Sequence, residues 1–182
     1  MEVFAVRRDG YKYQELDLEI DDFIDIFRDE LDYNTIQDFS INNLSLANYW
    51  QPLSTGFSTI AGQENLIPDL ANWIDATLLL SPKAYRYLGD LLSPFGEFLP
   101  IKIESETFQL FNCLTVAEIN EVPGDSEKFT FNEDSISDKV IFKTPYQHCL
   151  DIYCTARFKE AVESFDLKGI IFDKNILSPF SE

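Results

Sequence analysis

Nine carboxylates and one arginine fall within the eighteen residues "ELDLEIDDFIDIFRDELD" (15–32), threaded by leucine, isoleucine and phenylalanine. Carboxylates at that density could ligate a hard cation, form a solvated helix face, or meet a basic partner. A calcium loop alternates oxygen ligands around a mid-loop glycine and closes on a bidentate glutamate. Residues 15–32 contain no glycine. From Asp21 the apolar residues follow a helical period: Phe23, Ile24, Phe27 and Leu31 join Ile20 on one side, and Asp21, Asp22, Asp25, Asp29 and Asp32 take the other. The spacing predicts an amphipathic helix, capped by Asp21 or Asp22 and carrying its carboxylates along solvent, with no metal bound there.

Other chemistry is sparse. The single histidine, His148, is followed by Cys149. On the strand predicted there the two side chains point to opposite faces, which rules against a Cys-His nucleophile. With Cys154 they could supply three zinc ligands, but no paired short-spacing cysteine motif supports one. The seven glycines (10, 56, 62, 89, 96, 124, 169) build neither GxGxxG nor GxxxxGK, so nucleotide binding by those routes is excluded. Gly56-Phe57-Ser58-Thr59-Ile60 opens like a nucleophile elbow and lacks its closing glycine. No catalytic residue, cofactor or metal is expected. A hydrolase built only on carboxylates stays open as an alternative, because spacing in sequence does not show which acids converge.

The elements that would position these residues belong to one domain over 1–182, long enough for a real core. Hydrophobic residues make up 45% of the chain and aromatics 14%, which argues against global disorder. Thirty-two acids against fourteen bases give a formal charge of −18, which repels nucleic acid and anionic membranes and speeds encounter with basic proteins. No Lys or Arg occurs between Arg28 and Lys83. No run approaches the ~20 apolar residues of a membrane span, the N-terminus carries no signal-like stretch, and three sparse cysteines fit a reducing compartment. A cytoplasmic location is expected.

An opening β-hairpin is predicted around Asp9-Gly10. Residues 33–76 read as a long, partly irregular connection. Within it Tyr49 and Trp50, before Pro52, are candidates for a binding loop, although pinning the connection onto the core is the favoured role. The second half repeats one motif. "ATLLL" predicts a strand, Ser81-Pro82 a capped helix start, Tyr85, Leu88 and Leu92 its buried stripe, and "FLPIKI" the returning strand. "CLDIYC", a Thr155 cap, the stripe Phe158, Ala161, Val162 and Phe165, and "IIF" after Gly169 repeat it. "TFQLFNCLTVAEI" and "DKVIFKT" add strands around a turn at Pro123-Gly124-Asp125. The fold class expected is α+β: a mainly antiparallel or mixed sheet covered by short helices, with two strand, capped-helix, strand units in the C-terminal half.

The stretches "LLLSPKAYRYLGDLLSPFGEFLPIKI", "FQLFNCLTVAEIN", "VIFKT" and "DIYCTARFKEAVESFDLKGIIF", spanning roughly 66–173, resemble a family of bacterial immunity proteins associated with polymorphic toxins, the immunity protein eleven family. The shared elements are the serine-capped helix at Leu80 and Ser81, the strand carrying Glu97 and Pro100, the aromatic strand running into "VAEIN", and Leu167, Gly169 and Phe172 at the end. Where members tend to carry an aspartate-rich stretch, this chain reads "AEIN" and keeps only Glu118 as an acid. The resemblance implies a non-catalytic protein that binds a cognate toxin and blocks it inside the producing cell. The acidic composition suits a basic toxin domain. On that reading Asp21, Asp22, Asp25, Asp29, Asp32, Tyr49 and Trp50 are the candidate partner contacts. An acidic nucleic-acid mimic that inhibits a DNA-binding protein is the alternative that charge alone supports.

Overall fold

The computed structural model describes residues 1–10, 12–27, 29–62, 64–120 and 129–176, so the turn expected at 123–125 lies outside the described residues. The strands run β1 (Val3–Arg8), β2 (Glu15–Leu16), β3 (Leu53–Thr55), β4 (Phe57–Ser58), β5 (Leu70–Asn72), β6 (Thr77–Leu80), β7 (Gly96–Ile103), β8 (Glu106–Cys113), β9 (Ile141–Phe142), β10 (Tyr153–Thr155) and β11 (Ile170–Asp173). The helices are α1 (Ile20–Phe27), α2 (Tyr33–Gln37), α3 (Pro82–Leu92), α4 (Glu133–Ile136) and α5 (Ala156–Ser164). The class is α+β, as expected.

β1 is apolar on both faces, the mark of a strand covered on two sides, and it lies inside a four-stranded antiparallel sheet of order β11-β1-β10-β9. Both of its edges are therefore occupied by C-terminal strands, and the expected opening hairpin does not form. After Asp9-Gly10 the chain leaves for β2, which pairs with β4. The second sheet, of order β3-β7-β8-β6-β5, is antiparallel except where β3 runs parallel to β7. The 33–76 connection is irregular as expected, yet it supplies both edge strands of this sheet, β3 and β5, each three residues long. So short a run carries no readable period.

The repeated motif takes a defined form. β6 and β7 are both antiparallel to β8 and flank it, and α3 connects them. β10 and β11 are both antiparallel to β1 and flank it, and α5 connects them. Each sheet thus contains one split β-α-β unit. Both helices fill one central core: Ala84, Leu88 and Leu92 of α3 and Phe158 and Val162 of α5 meet Phe4 and Val6 from one sheet and Leu78, Leu80 and Phe111 from the other. Ser81 caps α3 as expected, its Oγ accepting from Ala84 N at 3.1 Å. Tyr85 departs from the expected stripe. It flanks the Ala84, Leu88, Leu92 line, stays 40% exposed and packs edge-on against Phe98. Thr155 occupies the N-cap of α5, but its hydroxyl donates to Lys139 O at 3.1 Å and makes no cap bond. Gly169 joins the sheets at φ +115°, where a Cβ would stand 2.1 Å from Leu70 O.

Strand alternation gives the second sheet an outer face of Leu79, Leu99, Ile101, Phe108 and Leu110. This face is covered by Phe23 and Phe27 of α1, Ile36 of α2, and Phe39 and Leu46. Burial stabilises each such side chain by ~2 kcal/mol. On the far face of the first sheet, Phe129, Phe131 and Ile136 cover Phe142 and Tyr153. Among the described residues no helix is long and apolar enough to cross a membrane.

Candidate functional site

The acidic stretch holds one short helix, α1, and its last residue, Asp32, caps a second, α2. α1 ends at Phe27, whose carbonyl accepts from both Glu30 N and Leu31 N at 2.9 Å. Continuing the helix would set Asp29, Glu30 and Asp32 against its negative C-terminal pole. Restarting the chain places Asp32 at the positive pole of α2 instead, where it is the N-cap and accepts from Thr35 N at 3.1 Å. The Thr35 hydroxyl also donates to Asp32, at 2.5 Å, and this bond together with the one from Thr35 N holds the Asp32 carboxyl below the ordinary carboxylate range. Neither Asp21 nor Asp22 is the N-cap of α1. Asp22 sits at its third position and reaches back to accept from Glu19 N at 3.2 Å, the reciprocal half of a capping box. Asp21, Asp22, Asp25, Asp29 and Asp32 are all exposed. The structure gives Trp50 the pinning role: its ring lies 5.8 Å from both Phe23 and Phe27, and its Nε1 donates to Pro100 O at 2.9 Å. Tyr49 is half-buried against the same cluster.

At the N-terminal end of α1 opens a cleft of about 470 Å³, lined by Ile20, Gln37, Asp38, Ile41, Ile74, Asp75, His148 and Leu150. Four separate segments build it: the start of α1, the end of α2 and the turn that follows, the link between β5 and β6, and the turn ahead of β10. Asp75 and His148 stand at φ +52° and +53°, a left-handed conformation that Asp and His adopt more readily than most residues. Ile41 and Leu150 remain 43% and 55% exposed at the rim.

Behind this lining Lys143 is fully buried. Its Nζ donates to Ser40 O at 2.6 Å and to Ser40 Oγ at 3.4 Å, and that hydroxyl donates to Cys149 O at 2.8 Å. Burial lowers the proton affinity of Lys143, because the charged ammonium has lost its water. Asp75 is half-buried and has no hydrogen-bond or ion-pair partner among the described residues. Burial pushes its carboxyl up to about 6; the Lys143 charge pulls it down and Asp38 pushes it further up.

His148 and Cys149 face apart, the first exposed and the second buried, but the strand argument is not the reason. Both lie in a left-handed turn after the 3₁₀ turn Pro145–Gln147, and the strand begins only at Tyr153. Cys113, Cys149 and Cys154 are free and buried, and burial raises all three thiols, Cys113 to about 11. Among the described residues no three His, Cys, Asp or Glu side chains converge as metal ligands. Sequence reasoning missed the cleft because its residues are scattered through loops. The one local signal was Lys143, a lysine continuing the apolar run Val140-Ile141-Phe142, since an ammonium inside such a run calls for buried partners.

No protein-family model matches the chain. No curated protein matches it with significance either.

Proposed function

We propose that this protein binds and blocks a basic partner protein, acting as the toxin-neutralising immunity protein that the sequence resemblance implies. The observation that carries this reading is the adjacency of two features: an exposed row of carboxylates, Asp21, Asp22 and Asp25 on α1 with Asp29 just beyond it, and an apolar cleft that begins at Ile20 of that helix and carries Asp38 and Asp75. An apolar centre with a polar rim is the anatomy of a protein interface. Exposed like charges raise the association rate for a partner of opposite sign. The net charge of −18 extends that field over the molecule.

The test is co-expression with the toxin encoded beside it, which should restore growth and yield a stable complex. Reversing Asp22, Asp25 and Asp29 to Lys should then slow association about tenfold at low salt, with a smaller change in dissociation. An unchanged association rate would remove α1 from the interface. Absence of a complex would overturn the proposal.

A second reading is favoured by Asp75 itself. A carboxyl that titrates near 6 beside a second carboxylate in one cleft is the arrangement of acid-base hydrolysis. Turnover of a glycoside or ester panel that disappears in Asp75→Asn would establish it, and absence of turnover at pH 5 to 7 would dismiss it.

A further inference from the structure

We infer that the cleft between the start of α1, the end of α2 and the 148–150 turn seats an arginine side chain presented by the partner, its guanidinium held by Asp75 and Asp38. This rests on the reading of the protein as a binder of a basic partner and names where that partner anchors. Asp75 is a half-buried carboxylate with no partner among the described residues, which is a costly state unless a cation arrives. The lysine whose charge reaches Asp75, Lys143, is fully buried and donates to Ser40, so it supplies Asp75 with field but no hydrogen bond.

The surroundings select the kind of cation. Ile20, Ile41, Ile74 and Leu150 present apolar walls, and two of them are open to solvent. A guanidinium is planar and weakly hydrated, so its faces can rest on such walls while its edge donates to carboxylates in pairs. A compact, strongly hydrated ammonium would lose more water and gain less contact. Phosphate-bearing ligands are repelled by the same two carboxylates and by the net charge of −18. An arginine flanked by apolar residues matches both the walls and the acids, and neighbouring basic residues of the partner would face the α1 carboxylates.

The probe is the peptide acetyl-Ile-Arg-Ile-amide, with its citrulline counterpart as the neutral isostere, titrated into the full chain and followed by NMR. The arginine peptide should shift the amides of Ile41, Asp75 and Leu150 with millimolar affinity, and the citrulline peptide should not. The double variant Asp38→Asn, Asp75→Asn should bind it at least tenfold more weakly, whereas Asp22, Asp25 and Asp29→Lys should change affinity less than threefold. Lowering the pH from 7 to 5 should weaken binding as Asp75 takes up a proton, against Asp38, His148 and Lys143 as the other charged or titratable groups around it. Equal binding of the citrulline peptide, or an unaffected double variant, overturns the inference. Failure here is separable from failure of the broader reading. If the double variant leaves dissociation of the toxin complex unchanged, the cleft falls and the binder stands; if the arginine peptide seats but no basic protein is bound, the binder falls and the cleft stands.

Discussion

Asp75→Asn should make the protein more stable at neutral pH. The carboxyl rises from 3.8 to about 6 because burial strips its water without supplying a hydrogen bond. For an acid whose folded pKa exceeds its unfolded one, the charged form is disfavoured in the fold, so the penalty is complete above pH 6 and disappears as pH falls below 3.8. At 1.36 kcal/mol per pH unit the rise corresponds to about 3 kcal/mol. Solvent still reaches the carboxylate, and discounting for that screening leaves about 1 to 2 kcal/mol. Asparagine matches the shape of aspartate and tolerates the left-handed backbone at φ +52°, so the substitution removes charge and little else. Urea denaturation at pH 7.5 should show the variant more stable by that amount, and at pH 5.0 the gain should fall by roughly half. A variant that is destabilised at pH 7.5, or equally stabilised at both pH values, would refute the account of Asp75 as an uncompensated carboxylate. A residue that costs stability where a neutral isostere would not is the kind that function retains.

Lys143→Met should change stability by no more than about 1 kcal/mol, since Ser40 O keeps the Asn43 amide at 3.1 Å and the butyl volume is retained. It should also move the Asp75 titration, followed by carboxyl carbon NMR, above 6, because the charge that pulls it down is gone; a downward move would be inconsistent with that geometry. Gly169→Ala should cost about 3 kcal/mol in chemical denaturation, because its Cβ would meet Leu70 O at 2.1 Å in a backbone that side chains disfavour. A loss below 1 kcal/mol would show that the junction between the sheets yields easily. The three thiols should be silent to a disulfide reagent at pH 8 in the native protein and react fully in denaturant, since all are buried with raised pKa values. Rapid native reaction of one equivalent would contradict the burial of Cys149.

The periodic elements were legible because their signals are local. Ser81-Pro82 announces a helix start by a side-chain acceptor for the free amides and by ring geometry, and Leu88, Leu92, Phe158 and Val162 recur at the spacing of one helical face. The misreadings arose where two local solutions compete. Asp9-Gly10 can turn a hairpin, but β1 is claimed by β10 and β11 from the other end of the chain. Asp32 fits the acidic face of one helix or the cap of the next, and the helix dipole decides for the cap. Tyr85 fits the stripe of α3 by number, yet the ring of Phe98 takes it at the flank.

By itself the sequence determined the α+β class, the repeated strand-helix-strand motif, the strongly negative charge and the amphipathic character of residues 20–27. Each of these is a property of composition or of neighbours within a few residues. Only the tertiary structure decided that the two repeats straddle strands β8 and β1 of different sheets and share one core. Only it brought Asp38, Asp75, His148 and the buried Lys143 around one cleft. Those residues come from three stretches of chain dozens of positions apart, around 38, 75 and 143–148, and what makes Asp75 unusual is the water it has lost, a quantity that exists only once other segments have closed around it.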